Sequence, residues 1–243
     1  MEILGVDIGG SGIKGAPVDT STGVLVTSRF RIPTPAQSKP KPVARVVRQI
    51  ADHFEWEGPV GIGYPGVVQN GFTRTATNLH DKWIDLDAAG LFTEQIGLPV
   101  TLINDADAAG IAEMAFGAGK SETGTVIVVT VGTGIGTAVF SHGILVPNTE
   151  LGQMDLRGRR AEVRTSDATR QQEKLSWKKW AARFDEYLGV LEMLFAPDLF
   201  IVGGGVCKKA DRFVPYLTVN ARVVPARLGN EAGIIGAAMV ALP

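Results

Sequence analysis

The sequence predicts a two-lobed α/β protein whose duplicated βββαβα halves lie around a central cleft. Two observations lead there. An apolar strand, a glycine-rich reversal and a second strand occur at ILGVDIGGSGIKGAPVD, from Ile3, and again at VIVVTVGTGIGTAVF, from Val126. Each is followed, in the same order, by a third strand-like run, a helical stripe and a buried apolar strand.

The third run is GVLVTSRFRI (Gly23 to Ile32) in the first half and GILVPN (Gly143 to Asn148) in the second. Val43, Val46, Val47, Ile50 and Phe54 then recur at helical spacing, with Pro42 suited to a first turn. GPVGIGYPG follows as a buried strand. In the second half Trp177, Trp180, Ala181, Phe184, Leu188, Leu191 and Leu194 form a stronger stripe, Ser176 is its candidate cap, and LFIVGGG is the matching strand. TLIND (Thr101 to Asp105) reads as a strand entering the helix DAAGIAEMAFG, which Gly117 stops. EAGIIGAAMVAL reads as a closing helix, and proline-rich Pro33 to Pro42 as a surface loop. The expected lobes are residues 1–105 and 106–230, with the helix at 231–243 packing back on the first.

Composition narrows the function classes. The chain has 243 residues, 45% hydrophobic and 20% charged, enough for two cores. Its 24 basic and 25 acidic residues leave a net charge of −1, with no global signature of nucleic-acid or membrane-surface binding. Neither is an expected partner. The one cysteine, Cys207, excludes an intrachain disulfide and a cysteine-cluster zinc site, so the expected compartment is the cytoplasm and no structural zinc is expected. No apolar run approaches the roughly 20 residues of a membrane span.

The loop Asp7-Ile-Gly-Gly-Ser-Gly-Ile-Lys-Gly15 lies between two strands, where Gly9, Gly10 and Gly12 can take positive φ and turn N–H groups toward a phosphate. Ser11 and Lys14 would add donors. A strand follows it and no GKS/T is present, so it is neither a dinucleotide fingerprint nor a P-loop; a plain glycine hairpin is the other reading. The equivalent loop Thr130-Val-Gly-Thr-Gly-Ile-Gly136 favours a shared anionic ligand, held by Gly132, Thr133 and Gly134. The turn Gly203-Gly204-Gly205 either packs on a nucleotide or starts a helix. Asn104-Asp105-Ala-Asp107 ends a strand and opens a helix. Asp105 is a candidate general base with Asn104 holding a neighbouring hydroxyl, but on this segment alone a helix cap at Asp105 or Asp107 is the better explanation. Glu150 and Glu162 are acids able to accept sugar hydroxyls, or solvated surface residues.

Taken in order, DIGGSGIKG, GIGYPGVV, NLHDKW, INDADAAG, TVGTGIGTAV, PNTELG, IVGGGVCKKAD and EAGIIGAA resemble the ROK family of bacterial sugar kinases and repressors almost end to end. The run LSWKKWAARFDEYLGVLEMLFAPDLFIVGGGVCKKADRF is similar to the family's polyphosphate-using glucokinase branch. The resemblance implies the actin-like ATPase (ribonuclease H-like) fold. It implies phosphorylation of glucose at the 6-hydroxyl from inorganic polyphosphate and also ATP, by an enzyme working with Mg²⁺ near Asp7. It puts Asp7, Gly9, Gly10, Gly12, Lys14, Gly132, Thr133 and Gly134 on the donor phosphates. Pro65, Gly66, Asn78, Asn104, Asp105, Glu150 and Glu162 fall around the sugar, with Asp105 as base.

Two departures stand out: the family's zinc-binding cysteines are missing, and the motif Glu-x-Gly-His reads Glu150-Leu-Gly-Gln153. Gln153 donates hydrogen bonds but does not titrate. A strictly ATP-dependent hexose kinase acting on glucose, mannose or an aminosugar is the alternative. A sugar-responsive regulator and a sugar-binding pseudoenzyme rank below it. Donor choice has its own signal. Between Leu156 and Phe184 stand Arg157, Arg159, Arg160, Arg164, Arg170, Lys174, Lys178, Lys179 and Arg183 against Glu162, Asp167 and Glu173. That local cationic excess would draw a phosphate chain, or be the solvated face of the tryptophan helix. The apolar Trp177 to Leu194 stripe favours a homodimer.

Overall fold

A computed structural model of the chain describes residues 1–76 and 79–242. It divides into two compact units, Met1–Ala112 with the C-terminal segment from Glu231, and Glu113–Asn230. The division falls inside a helix and not at its start, seven residues beyond the expected end of the first lobe at residue 105.

The first unit begins with strands β1 (Glu2–Ile8) and β2 (Ile13–Asp19), an antiparallel pair closed by the first glycine loop. The third run of this half is not one strand. It breaks into β3 (Val24–Leu25) and β4 (Phe30–Ile32), which pair with opposite ends of β2. Helix α1 (Pro40–His53) takes Pro40 and Pro42 into its first turn, so the proline-rich loop ends at Lys39. Its buried stripe is Val43, Val46, Val47 and Ile50, while Phe54 lies just past the helix end. After β5 (Val60–Tyr64), the short strands β6 (Val68–Gln69), β7 (Phe72–Thr73) and β8 (Leu86–Asp87) form a separate small sheet. Helix α2 (Ala88–Ile96) follows, capped by Asp87, whose carboxylate accepts the Gly90 N–H at 2.9 Å. Strand β9 (Val100–Asn104) leads into α3 (Asp105–Phe116). The main sheet runs β3-β2-β1-β5-β9, with β5 and β9 parallel to β1's direction.

The second unit repeats the order. Strands β10 (Thr125–Val131), β11 (Ile135–Ser141) and β12 (Ile144–Val146) form the meander. Helices α4 (Ala161–Thr165), α5 (Asp167–Gln172) and α6 (Trp177–Phe195) come next, then β13 (Leu199–Gly204) and β14 (Arg222–Pro225). The sheet order is β12-β11-β10-β13-β14, with β10, β13 and β14 parallel. Ser176 caps α6 as expected, accepting the Lys179 N–H. Trp180, Phe184, Leu188 and Leu191 are fully buried, and Trp180 and Phe184 stack at 4.9 Å. Leu194 leaves the stripe and is 57% exposed.

Helix α7 (Ala232–Val240) returns to the first unit and lies on its sheet at unusually close range. A Cβ on Gly5 would stand 2.0 Å from the Ile234 carbonyl oxygen, and one on Gly236 would stand 1.7 Å from that of Ala108. Glycine is required there because backbone meets backbone. No helix among the described residues is long and apolar enough to cross a membrane.

Candidate functional site

In the first unit the glycine loop occupies the tip of the β1–β2 hairpin. The antiparallel register places Lys14 opposite Asp7, and their side chains pair at 3.0 Å. None of Gly9, Gly10 and Gly12 takes a positive φ, contrary to the expectation from their type. What they supply is room. A Cβ on Gly12 would stand 2.4 Å from the Arg31 guanidinium, and one on Gly9 would stand 2.9 Å from the Gly12 carbonyl oxygen, whereas Gly10 faces open space. Arg31 was not singled out in the sequence. Its Nη2 donates to the Ser11 carbonyl at 2.7 Å, and Thr34 Oγ1 donates to that of Gly9 at 2.5 Å, so two side chains hold the loop. The β4 register, which sets Arg31 beside Lys14, gathers the cations, and an arginine between two apolar residues of a short strand was the only hint.

The junction of β9 and α3 decides the capping question. Asn104, buried at 4% exposure, accepts the N–H groups of Ala106 and Asp107 on Oδ1, each at 2.9 Å. That is the N-cap pattern. Asn104 is thus the N-cap of α3, and Asp105 is the first residue of the helix. The Asn104 amide also donates to the Gly66 carbonyl at 3.0 Å, fixing the Pro65-Gly66 turn against the junction. Gly66 is tightly enclosed, since a Cβ there would stand 2.8 Å from Thr75 Oγ1. Asn78 lies outside the described residues.

In the second unit the loop Gly132–Gly134 closes the β10–β11 hairpin, with the Gly132 N–H donating to the Gly134 carbonyl at 3.0 Å. Thr130, next to last in β10, pairs with Gly136, and Thr133 is exposed at the tip. Here too neither Gly132 nor Gly134 has a positive φ. Gly134 leaves room for the Glu162 carboxylate: a Cβ on it would stand 2.6 Å from Glu162 Oε2. In the third turn the positive φ is real, at +75° on Gly204, where a Cβ would also strike the Val131 carbonyl oxygen at 2.2 Å. Gly203 pairs with Thr130, and Gly205 opens a 3₁₀ helix, Gly205–Arg212.

Glu150, Gln153 and Glu162 come together in this unit. The 3₁₀ turn Leu151–Gln153 is fastened to β11, because Thr137 Oγ1 accepts the Leu151 N–H at 3.1 Å and a Cβ on Gly152 would meet the Ile135 carbonyl oxygen at 2.4 Å. Glu162 lies in the first turn of α4 and is buried to 9% exposure. Burial, and after it the negative charge of Glu162, hold the Glu150 carboxyl above its ordinary range. Arg160, counted in the sequence only as part of a basic run, joins the cluster by donating to Gln153 Oε1 at 2.9 Å and pairing with Glu162 at 3.3 Å.

The basic run is less free than its sequence indicates. Arg157 and Arg164 both pair with Glu186 on α6, an acid outside the run, while Arg170 pairs with Asp167 and Arg183 with Glu173. Arg159, Lys174, Lys178 and Lys179 make no ion pair among the described residues. Among those residues, too, no group of three or more His, Cys, Asp or Glu is gathered for a metal ion.

Residues 3–152 match the family model described as ROK family. The chain is 45% identical over 240 residues to a polyphosphate glucokinase of Mycobacterium tuberculosis (strain CDC 1551 / Oshkosh), covering 98% of this chain and 91% of that protein. It is 27% identical over 310 residues to a glucokinase of Streptomyces coelicolor, covering 98% and 96%. Among solved structures, an inorganic polyphosphate/ATP-glucomannokinase from Arthrobacter sp. strain KM superposes with a TM-score of 0.95 at 44% identity, covering 98% of this chain and 97% of that one. The architecture is accordingly the actin-like ATPase fold of two α/β domains. With eight ordered motifs, a family model over more than half the chain and a relative matched over nearly its full length, this chain belongs to the ROK family.

Proposed function

We propose that the chain is a glucokinase that phosphorylates the 6-hydroxyl of glucose from inorganic polyphosphate and also uses ATP. The observation that carries this reading is the near full-length likeness to a polyphosphate glucokinase and a polyphosphate/ATP-glucomannokinase. Asp105 takes the hydroxyl proton as the oxygen forms its bond to the terminal phosphorus and the donor's bridging P–O bond breaks, leaving the shortened donor. Its support is its place as the first residue of α3, directly after the Asn104 cap. Asn104 keeps the strand–helix junction and the Gly66 carbonyl in register, while Gly66, Glu150, Gln153 and Glu162 bind sugar hydroxyls. The two hairpin loops bind donor phosphates through N–H groups, helped by Ser11, Thr133 and Lys14. The Gly203–Gly205 turn serves the nucleotide when ATP is the donor.

A magnesium ion would supply charge neutralisation on adjacent phosphates. Asp7 suits it: one half-buried carboxylate beside the donor loop is the ligation Mg²⁺ takes when phosphates and water complete its shell. Arg159, Lys174, Lys178 and Lys179 are the cations of the basic run that remain for a phosphate chain. Steady-state assay of purified protein tests the reading. Glucose 6-phosphate is expected from long-chain polyphosphate and from ATP, with the polyphosphate KM rising with salt. Product from ATP but none from polyphosphate would leave the strictly ATP-dependent hexose kinase.

A further inference from the structure

Arg160 precedes α4, and its side chain is 53% exposed. Its guanidinium nevertheless has two partners within the Glu150–Gln153–Glu162 cluster. Nη1 donates to Gln153 Oε1 at 2.9 Å and lies 3.3 Å from Glu162 Oε1. A primary amide is an ambiguous recognition group, because it offers an acceptor at one end and two donors at the other. By holding the oxygen, Arg160 removes the choice. The Gln153 Nε2 group, which has no hydrogen bond among the described residues, is the end left for a ligand. The same contact divides the Glu162 carboxylate. Oε1 faces Arg160, and Oε2 lies 2.6 Å from the place where a Cβ on Gly134 would stand. A carboxylate this buried is costly without a partner charge beside it.

We propose that Arg160 is a positioning residue that sets the hydrogen-bonding polarity of the acceptor site, presenting Gln153 as a pure donor beside the acceptors Glu150 and Glu162. The inference rests on the reading of that cluster as part of the glucose site. It goes further in assigning one residue of the basic run to the sugar and not to the phosphate chain. The ligand it fits is a neutral polyol: a hydroxyl oxygen accepts from Gln153, and neighbouring hydroxyl protons go to the two carboxylates. One guanidinium nitrogen makes both contacts, so a lysine ammonium supplies the charge and part of the hydrogen bonding but not the guanidinium's fixed plane.

The test is steady-state kinetics on R160A, R160Q, R160K, Q153A and the double variant R160A/Q153A, with glucose and polyphosphate varied separately. R160A is expected to raise the glucose KM about tenfold, with kcat and the polyphosphate KM within about twofold of wild type. R160K recovers part of the loss. The double variant is expected to be no worse than the poorer single one, because both changes break one unit. If R160A lowers the Tm by more than a few degrees, R160Q, which keeps a polar head of similar reach, is read in its place. An unchanged glucose KM, fully multiplicative effects in the double variant, or a rise confined to the polyphosphate KM would each overturn the inference while leaving the glucokinase reading intact. Wild-type protein that phosphorylates glucose from neither donor would overturn the glucokinase reading, and this inference with it, before any variant is made.

Discussion

Asn104 Oδ1 accepts the backbone N–H of Asp107 at 2.9 Å, together with that of Ala106, so the last residue of β9 caps the helix that begins at Asp105. The cap and the proposed base are thus adjacent residues. D105N is expected to lower kcat by at least about a hundredfold, as loss of a general base does, with little change in Tm. N104A removes the cap and the bond to Gly66, and is expected to cost about 1–2 kcal/mol of stability as well as activity. Thermal denaturation beside kcat separates the two. A D105N protein that turns over at the wild-type rate removes Asp105 from the base role.

Glu150 provides a pH signature. Its carboxyl is held above the ordinary 4.5, first by burial and then by the charge of Glu162. A raised native pKa means that the folded protein keeps this proton over a window in which the unfolded chain has lost it. Its contribution to stability therefore falls as pH rises from about 4.5 through the native value. E150Q has no such term, so the Tm of wild type relative to E150Q should decline across that window. The ionised carboxylate is the form that accepts sugar hydroxyls, so kcat/KM for glucose should lose activity on the acid side of the same window. A wild-type minus E150Q difference in Tm that is flat with pH would contradict the assignment.

Backbone contact between β5 and α7 makes one glycine irreplaceable and leaves another free. A Cβ on Gly61 would stand 1.7 Å from the Ala237 carbonyl oxygen, while Gly10 has nothing within 4 Å. G61A is expected to lose about 3 kcal/mol, because neither backbone can yield without moving its element. G10A is expected within about 0.5 kcal/mol of wild type. Urea denaturation of the pair measures the contrast, and equal stabilities would mean that α7 does not lie on the sheet at this range.

Tyr187 is fully buried in α6, and its hydroxyl has no hydrogen-bond partner among the described residues. The ring earns its place by packing near Phe184, at 6.2 Å between centroids, and phenylalanine keeps that contact. Y187F is expected to be neutral or to stabilise by up to about 1 kcal/mol, since it removes a polar atom desolvated without compensation. A loss above about 1 kcal/mol in denaturant titration would reveal a partner for the hydroxyl.

Local pattern was enough for the duplicated plan, the capped tryptophan helix and the two hairpin loops. Alternating or stripe-like apolar spacing declares which face is buried, and Ser176 before Trp177 declares where a helix starts. The small sheet β6–β8 and the strand β14 were missed, because strands of two to four residues are too short to show a period. At Gly9, Gly10 and Gly12 the positive φ expected from residue type is not taken. Sequence reports that a Cβ is absent, whereas only the neighbours, Arg31 at Gly12 and Glu162 at Gly134, report what takes its place.

The sequence by itself determined the family and the fold and nominated the residues of the candidate site, since these reside in the order of motifs and in short-range periodicity. Tertiary structure alone decided which residue of Asn104-Asp105-Ala-Asp107 is the cap, that Glu186 pairs with two arginines of the basic run, and that Arg160 turns toward Gln153 and Glu162. The physical reason is common to all three. Hydrogen bonds and ion pairs act over about 3 Å, and which side chains come within that range depends on backbone placement that residue spacing along the chain does not encode.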